Sequence, residues 1–216
     1  PFDVWIQCVD FWDYRDGGPS AHLAQSGGRR MTNTFSKKPG PAYLPGDPAP
    51  SVEAIIRVDH AGEFGAVRIY EGQLAVLPPG PARDAVAEMA AQEQEHLETF
   101  NKLIVSRGVR PTALSPLWNL AGYALGAVTA RLGPRAAMAC TVAVEEVIDK
   151  HYREQAEKLG ENEAPLKEII EKFRAEELEH RDTALEHDAE QALGYPVLSA
   201  LVKAGSLAAI WLSTRI

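Results

Sequence analysis

The chain has 216 residues, 45% of them hydrophobic, with 22 basic and 30 acidic side chains and a formal net charge of −8. That length and apolar content suit one globular domain with a real core and exclude a disordered or fibrous chain. The acidic balance argues against a nucleic-acid partner, which favours basic surfaces, and the two cysteines, Cys8 and Cys140, make no disulfide framework. Cys140 reads as a small buried apolar residue.

Residues 1–50 differ in character from the rest of the chain. Pro1 to Arg30 has no initiating Met, carries Asp3, Asp10, Asp13 and Asp16, and contains no long apolar run. It therefore fits neither a secretory signal nor an Arg-rich transit peptide. Met31 offers a start, in which case residues 1–30 would not belong to the native protein. Lys37 to Pro50 is rich in Pro and Gly and reads as an extended leader. The expected organisation is a leader over 1–50 and one domain over 51–216.

The first helix begins near Ser51, a good N-cap, and runs to Leu77, where Pro78-Pro79-Gly80-Pro81 ends it. Ile56, Glu63 and Tyr70 recur every seven residues on one stripe. Gly62 and Gly65 lower helix propensity beside Glu63, which leaves room for close packing or for a ligand. The second helix starts after Pro81 and ends at Arg107-Gly108. Along its inner face Val86, Met89, Leu97, Phe100 and Ile104 are interrupted by Glu93 and His96, and a carboxylate facing a core needs a counter-charge. Glu95 and Glu98 fall off that face and read as solvated.

Pro111 to Ala130 is a run of 20 residues without a charge, close to the length of a membrane span. Trp118, Tyr123 and the pair Gly122 and Gly126 fit a helix with a small-residue face. The preferred reading is a helix lying at a membrane interface, ahead of a true span or a buried core helix. A fourth helix restarts at Pro134, carries Met138, Val142, Glu145, Asp149 and Tyr152 on one stripe, and finishes at Leu159-Gly160. The fifth runs from about Glu163 to Ala189 with Ile170, Phe173, Glu177, His180 and Ala184 facing inward. The last, Pro196 to Trp211, is apolar apart from Lys203, is too short to span comfortably, and reads as a second membrane-surface element.

The chemistry lies in a repeat. Ala91-Gln92-Glu93-Gln94-Glu95-His96 recurs as Ala175-Glu176-Glu177-Leu178-Glu179-His180, each ending in Glu-x-x-His. Residues three apart share a helix face, so each stretch points one carboxylate and one imidazole the same way. Chance gives roughly half a Glu-x-x-His in a chain of this composition, so the motif alone carries little. The matched upstream glutamates strengthen it: Glu63 precedes Glu93 by 30 residues and Glu145 precedes Glu177 by 32. A bundle in which two helices each give Glu and two others each give Glu-x-x-His builds a two-metal carboxylate site. The expected metal ligands and catalytic residues are Glu63, Glu93, His96, Glu145, Glu177 and His180.

Four carboxylates and two divalent ions are near neutral together, which lets such a cluster sit in a core. Oxygen and imidazole donors without thiolate suit iron or manganese better than zinc. Two ferrous ions would let dioxygen take electrons pairwise while the protein excludes water. His60 and His151 stand near ligand positions and either support a ligand from behind or serve the packing. His22 and His187 read as surface residues.

With these residues in view, the sequence resembles the demethoxyubiquinone hydroxylases, membrane-associated di-iron monooxygenases of ubiquinone biosynthesis within the ferritin-like superfamily. The resemblance runs from about Ile55 to Ile216. It rests on Ile56-Arg57-Val58-Asp59-His60-Ala61-Gly62-Glu63, Gln92-Glu93-Gln94-Glu95-His96, Pro116-Leu117-Trp118-Asn119, Cys140-Thr141-Val142-Ala143-Val144-Glu145-Glu146 and Glu176-Glu177-Leu178-Glu179-His180. It implies an all-α, ferritin-like four-helix bundle with two additional apolar helices at a membrane interface. It also implies a di-iron centre on the same six residues, O2 as co-substrate, NADH as electron donor and a prenylated benzoquinol, demethoxyubiquinol, as substrate. Membrane association would be peripheral, on the cytoplasmic side of a bacterial inner membrane or the matrix side of a mitochondrial one. A lipid-binding partner protein accompanies eukaryotic members, and a homo-oligomer is open. Phe64, where some members have Tyr, is a local departure. Two other functions use the same bundle: a ferroxidase or iron-storage protein, and a non-catalytic scaffold for quinone precursors. A polyprenyl quinol needs an apolar entrance at membrane depth, and the two apolar segments fit that need, whereas a soluble ferritin needs neither.

Overall fold

The computed structural model describes residues 51–216; the leader expected over residues 1–50, with Cys8, His22 and Met31, lies outside the described residues. Six helices and two short 3-10 turns make up those residues, with no strand among them. The helices are α1 (Val52–Val76), α2 (Pro81–Arg107), α3 (Ser115–Arg131), α4 (Pro134–Lys158), α5 (Ala164–Glu186) and α6 (Tyr195–Ser213).

Local chemistry sets the ends. The Ser51 hydroxyl accepts the Ala54 N–H at 3.3 Å and caps α1. Proline at the start of α2 to α6 occupies first-turn positions where no backbone N–H is needed. Gly108 closes α2 in the left-handed region at φ 62°, and its N–H and that of Val109 take up the last carbonyls. The fifth helix ends at Glu186, earlier than the expected Ala189, because the chain turns at Asp188 (φ 63°) into the 3-10 turn Ala189–Gln191.

Helices α1, α2, α4 and α5 form the bundle, and its interior is layered. One apolar cluster gathers Tyr70, Val86, Met89, Met138, Val142 and Ala184. A second gathers Ile56, Phe100, Ile104, Tyr152, Ile170 and Phe173. On every one of the four helices the candidate ligands fall between the residues given to these two clusters. The polar layer is therefore roofed and floored by apolar side chains, which exclude water from it.

The other two helices lie outside this core. α3 is 17 residues long and packs along α1 through Gly122, Gly126, Thr129 and Ala130, so the charge-free segment is a packed outer helix rather than a free span. An added Cβ at Gly126 would strike the Ile69 carbonyl, and one at Gly122 would lie 2.9 Å from the Gly65 carbonyl oxygen. On α1 the tight position is Gly72, against Tyr123 and Ala127; Gly62 and Gly65 have nothing within 4 Å of an added Cβ, so the expected crowding is displaced along the helix. α6 packs on α4. At 19 residues it is longer than expected, and among the described residues it is the one helix long and apolar enough to cross a membrane. Leu117, Leu120 and Val128 on α3 and Val197, Leu201 and Leu207 on α6 are exposed.

These contacts predict a contrast in stability. Gly126→Val should cost about 1–3 kcal/mol by overpacking the α1–α3 contact, whereas Gly62→Ala should be neutral or stabilise by up to about 1 kcal/mol. Urea unfolding of the two variants measures the difference.

Candidate metal centre

Two groups of acid and imidazole side chains meet in the polar layer. Ligand atoms of Glu63, Glu93, His96 and Glu177 lie within 4.8 Å of one another, and so do those of Glu93, Glu145, Glu177 and His180. All six expected residues are thus brought together, each no more than 2% exposed. Glu93 and Glu177 belong to both groups; Glu63 with His96, and Glu145 with His180, flank them on either side.

Both histidines turn Nδ1 inward. His96 Nδ1 lies 3.3 Å from Glu177 Oε1 and 3.5 Å from Glu63 Oε2. His180 Nδ1 lies 3.1 Å from Glu93 Oε1 and 3.2 Å from Glu177 Oε2. Their outer nitrogens are held from the opposite half: His96 Nε2–H donates to Glu176 at 2.9 Å, and His180 Nε2–H to the Gln92 carboxamide oxygen at 2.6 Å. The flanking glutamates are also held reciprocally. Tyr70 O–H on α1 donates to Glu145 on α4 at 2.8 Å, and Tyr152 O–H on α4 donates to Glu63 on α1. His96 further stacks on Phe173 with ring centroids 3.9 Å apart. Four of the six candidate ligands, Glu63, His96, Glu145 and His180, are thereby oriented from behind, as metal-binding side chains require.

The residues fit a pair of metal ions. Glu63 Oε2, both oxygens of Glu93, His96 Nδ1, Glu145 Oε2 and Glu177 Oε1 are buried without a hydrogen-bond partner. Buried polar atoms are ordinarily paired, and six such atoms converging on one layer are explained by cation coordination. Oxygen donors outnumber nitrogen and no thiolate takes part, which suits iron or manganese.

The proton balance points the same way. Burial pushes the carboxyls of Glu63, Glu93 and Glu145 up, and the neighbouring Glu177 charge adds to this. Burial also acts against charge at Glu177 and His96, but the attraction of close opposite charges wins. The His180 and His96 imidazoles bring Glu177 down to about 2, and the Glu177 and Glu63 carboxylates push His96 up to about 10. Protons thus stand in for cations in this cluster.

The other residues singled out by sequence lie outside the ligand groups. His60 is buried and its Nε2 meets Asn101 Oδ1 at 2.9 Å. His151 meets Gln155, which in turn donates to the buried Asp59 at 2.7 Å. Neither histidine is hydrogen-bonded to a candidate ligand; Tyr152, the neighbour of His151, is. Glu95 and Glu98 are exposed, and His187 is half-buried rather than a free surface residue. The supporting roles of Tyr70, Gln92 and Glu176 were not anticipated. A signal was present for the tyrosines, since Tyr70 and Tyr152 each follow the glutamate of their own helix by seven residues.

Residues 50–213 match the family described as Ubiquinone biosynthesis protein COQ7. The chain belongs to this family. A relative from Rhodospirillum rubrum, named 3-demethoxyubiquinol 3-hydroxylase, is 50% identical over 202 residues, covering 92% of this chain and 95% of its own. That coverage exceeds residues 51–216, so the alignment reaches into the segment upstream of Ser51. Relatives from Dictyostelium discoideum and Rattus norvegicus are both named NADPH-dependent 3-demethoxyubiquinone 3-hydroxylase, mitochondrial. The first is 57% identical over 168 residues, 76% of this chain and 77% of its own. The second is 56% identical over 169 residues, 76% and 78% respectively.

The raised and lowered carboxyls give the metal-free protein a pH dependence. Groups whose folded pKa is raised stabilise the fold below their unfolded value and lose that contribution as pH rises through the folded one. For Glu63, Glu93 and Glu145 the loss begins above 4.5, and for His96 it runs from 6.5 to about 10. Glu177 opposes this only below 4.5, where its contribution fades as pH falls towards about 2. The melting temperature of metal-free protein should therefore fall between pH 5 and pH 10. Added Mn(II) should restore about 3–4 kcal/mol at 100 to 1,000 times its Kd, more strongly at the alkaline end because binding releases protons. Thermal melts across that range, with and without Mn(II), check both trends.

Proposed function

We propose that this chain is a di-iron monooxygenase that hydroxylates a prenylated 3-demethoxyubiquinol in ubiquinone biosynthesis. The observation that carries the reading is the pair of buried ligand groups sharing Glu93 and Glu177 in a chain half identical to a 3-demethoxyubiquinol 3-hydroxylase over nearly all of that protein. Glu63, Glu93, His96, Glu145, Glu177 and His180 are the ligands and the catalytic set.

When bound, two iron ions would supply the pairwise electron transfer to O2 by which one oxygen atom enters a ring C–H bond and the other leaves as water. The rest is the work of the chain. Tyr70 and Tyr152 hold the flanking carboxylates in place, and Glu176 and Gln92 hold the imidazoles. The two apolar clusters keep bulk water away from the reacting layer. Two electrons and two protons balance the reaction, and a reduced nicotinamide nucleotide supplies the electrons. Relatives' names favour NADPH over the NADH that the family resemblance implies.

The surroundings suit a hydrophobic quinol. A closed crevice with no room for a water molecule, lined by Ala66, Ile69, Tyr70, Thr141, Val144 and Glu145, abuts the layer, so a quinol would have to part these side chains to reach it. Its wall residues Ile69 and Val144 pack with Leu125 of α3 and Val202 of α6. The substrate thus enters beneath the two apolar helices, whose outer faces rest on the inner membrane, cytoplasmic in a bacterium or matrix-facing in a mitochondrion. Such a face also fits a lipid-binding partner that presents the quinol.

Complementation tests this directly. In a cell lacking its own hydroxylase, the full chain should restore ubiquinone. Glu177→Ala should lose metal and accumulate demethoxyubiquinone, and Tyr152→Phe should keep the fold with a roughly 10–100-fold loss in metal affinity or rate. Quinone profiling by mass spectrometry reads the outcome; ubiquinone at wild-type level from Glu177→Ala would overturn the catalytic reading.

A further inference from the structure

The two halves of the site mirror one another closely. Each half offers a flanking glutamate, a tyrosine seven residues on, a shared glutamate and a histidine three further. Each tyrosine and each outer imidazole nitrogen binds across to the other half. Among the groups hydrogen-bonded to these ligands, the correspondence breaks at one pair. The residue just before the shared glutamate is Gln92 in one half and Glu176 in the other. His180 is therefore backed by a neutral amide and His96 by a carboxylate.

We propose that this one difference makes the two metal positions unequal, the position formed by Glu63, Glu93, His96 and Glu177 being the tighter and the first to fill. A carboxylate accepting an imidazole N–H forms a charge-assisted bond roughly twice as strong as a neutral one. It draws the proton outward and makes the opposite nitrogen a better donor to a metal. The Gln92 oxygen at 2.6 Å orients His180 equally well, but it lacks the charge to raise donor strength. Lys172 Nζ lies 3.1 Å from the other Glu176 oxygen. Lys172 is itself 63% exposed, so water screens much of its pull on that carboxylate. Glu176 and Gln92 act through the histidines and are positioning residues. The inference rests on the metal-site reading of the cluster.

Anaerobic calorimetric titration of the full chain with Mn(II), alongside Mössbauer spectra of protein loaded with one and two equivalents of ⁵⁷Fe(II), tests it. Wild type should bind in two resolved steps and give two distinct quadrupole doublets. Glu176→Gln should weaken the first step about 10–100-fold, merging the steps and the doublets. Gln92→Glu should strengthen the second step and merge them from the other side. The double exchange should restore two steps, with His180→Ala now removing the first in place of His96→Ala. Gln94→Glu, which adds the same charge two residues along the helix, should leave both steps unchanged. A single step in wild type, or Glu176→Gln with two unaltered steps, overturns the inequality and leaves the metal site standing. No binding of either ion to wild type overturns both. Equal tightening by Gln92→Glu and Gln94→Glu would show a diffuse charge effect and sink the specific role of the pair.

Discussion

Four carboxylates confined in an apolar interior are the constraint on which this structure turns. Glu63, Glu93, Glu145 and Glu177 are each at most 1% exposed, and unpaired charges at that depth would be strongly destabilising. The chain answers with two imidazoles, two tyrosine hydroxyls and partial protonation. Those answers explain why the four bundle helices carry their polar residues at one level, with apolar clusters above and below.

The supports of this layer are reciprocal. No helical hairpin contains its own: Glu63 depends on Tyr152, Glu145 on Tyr70, His96 on Glu176 and His180 on Gln92. Orientation of these four side chains therefore requires both hairpins docked. The loops contribute nothing to the layer, so ligand placement rests on rigid helices, which suits chemistry sensitive to small displacements.

Much of this was legible in the sequence because helical repeats report their own geometry. The doubled Glu-x-x-His, the matched upstream glutamates and the Pro and Gly boundaries placed the bundle and the six acid and imidazole side chains that converge in its polar layer. Interactions across the bundle were less readable, since Tyr152 and Glu63 are 89 positions apart and no periodicity links them. His60 and His151 show the limit. Proximity in sequence suggested support for the ligands, yet their faces turn towards Asn101 and Gln155. Glycine was ambiguous for the same reason. Gly62 and Gly65 flank a ligand, but the close approach falls at Gly72, Gly122 and Gly126, where α3 meets α1. The length of α6 was underestimated because its ends, Tyr195 and Ser213, lie past the apolar run that defined it.

The last helix, α6, is held on the bundle by apolar packing of Val202 and Leu198, by the Trp118–Ser213 hydrogen bond and by one ion pair. Lys203 is the sole charged residue of α6, and it is ion-paired with Glu146, the immediate neighbour of Glu145 on α4. At more than a third exposed, that pair is a weak tether, and the buried contacts do most of the holding. Together they seat the helix with Val197, Leu201 and Leu207 facing outward, so the bearing of a greasy surface is set one residue away from Glu145.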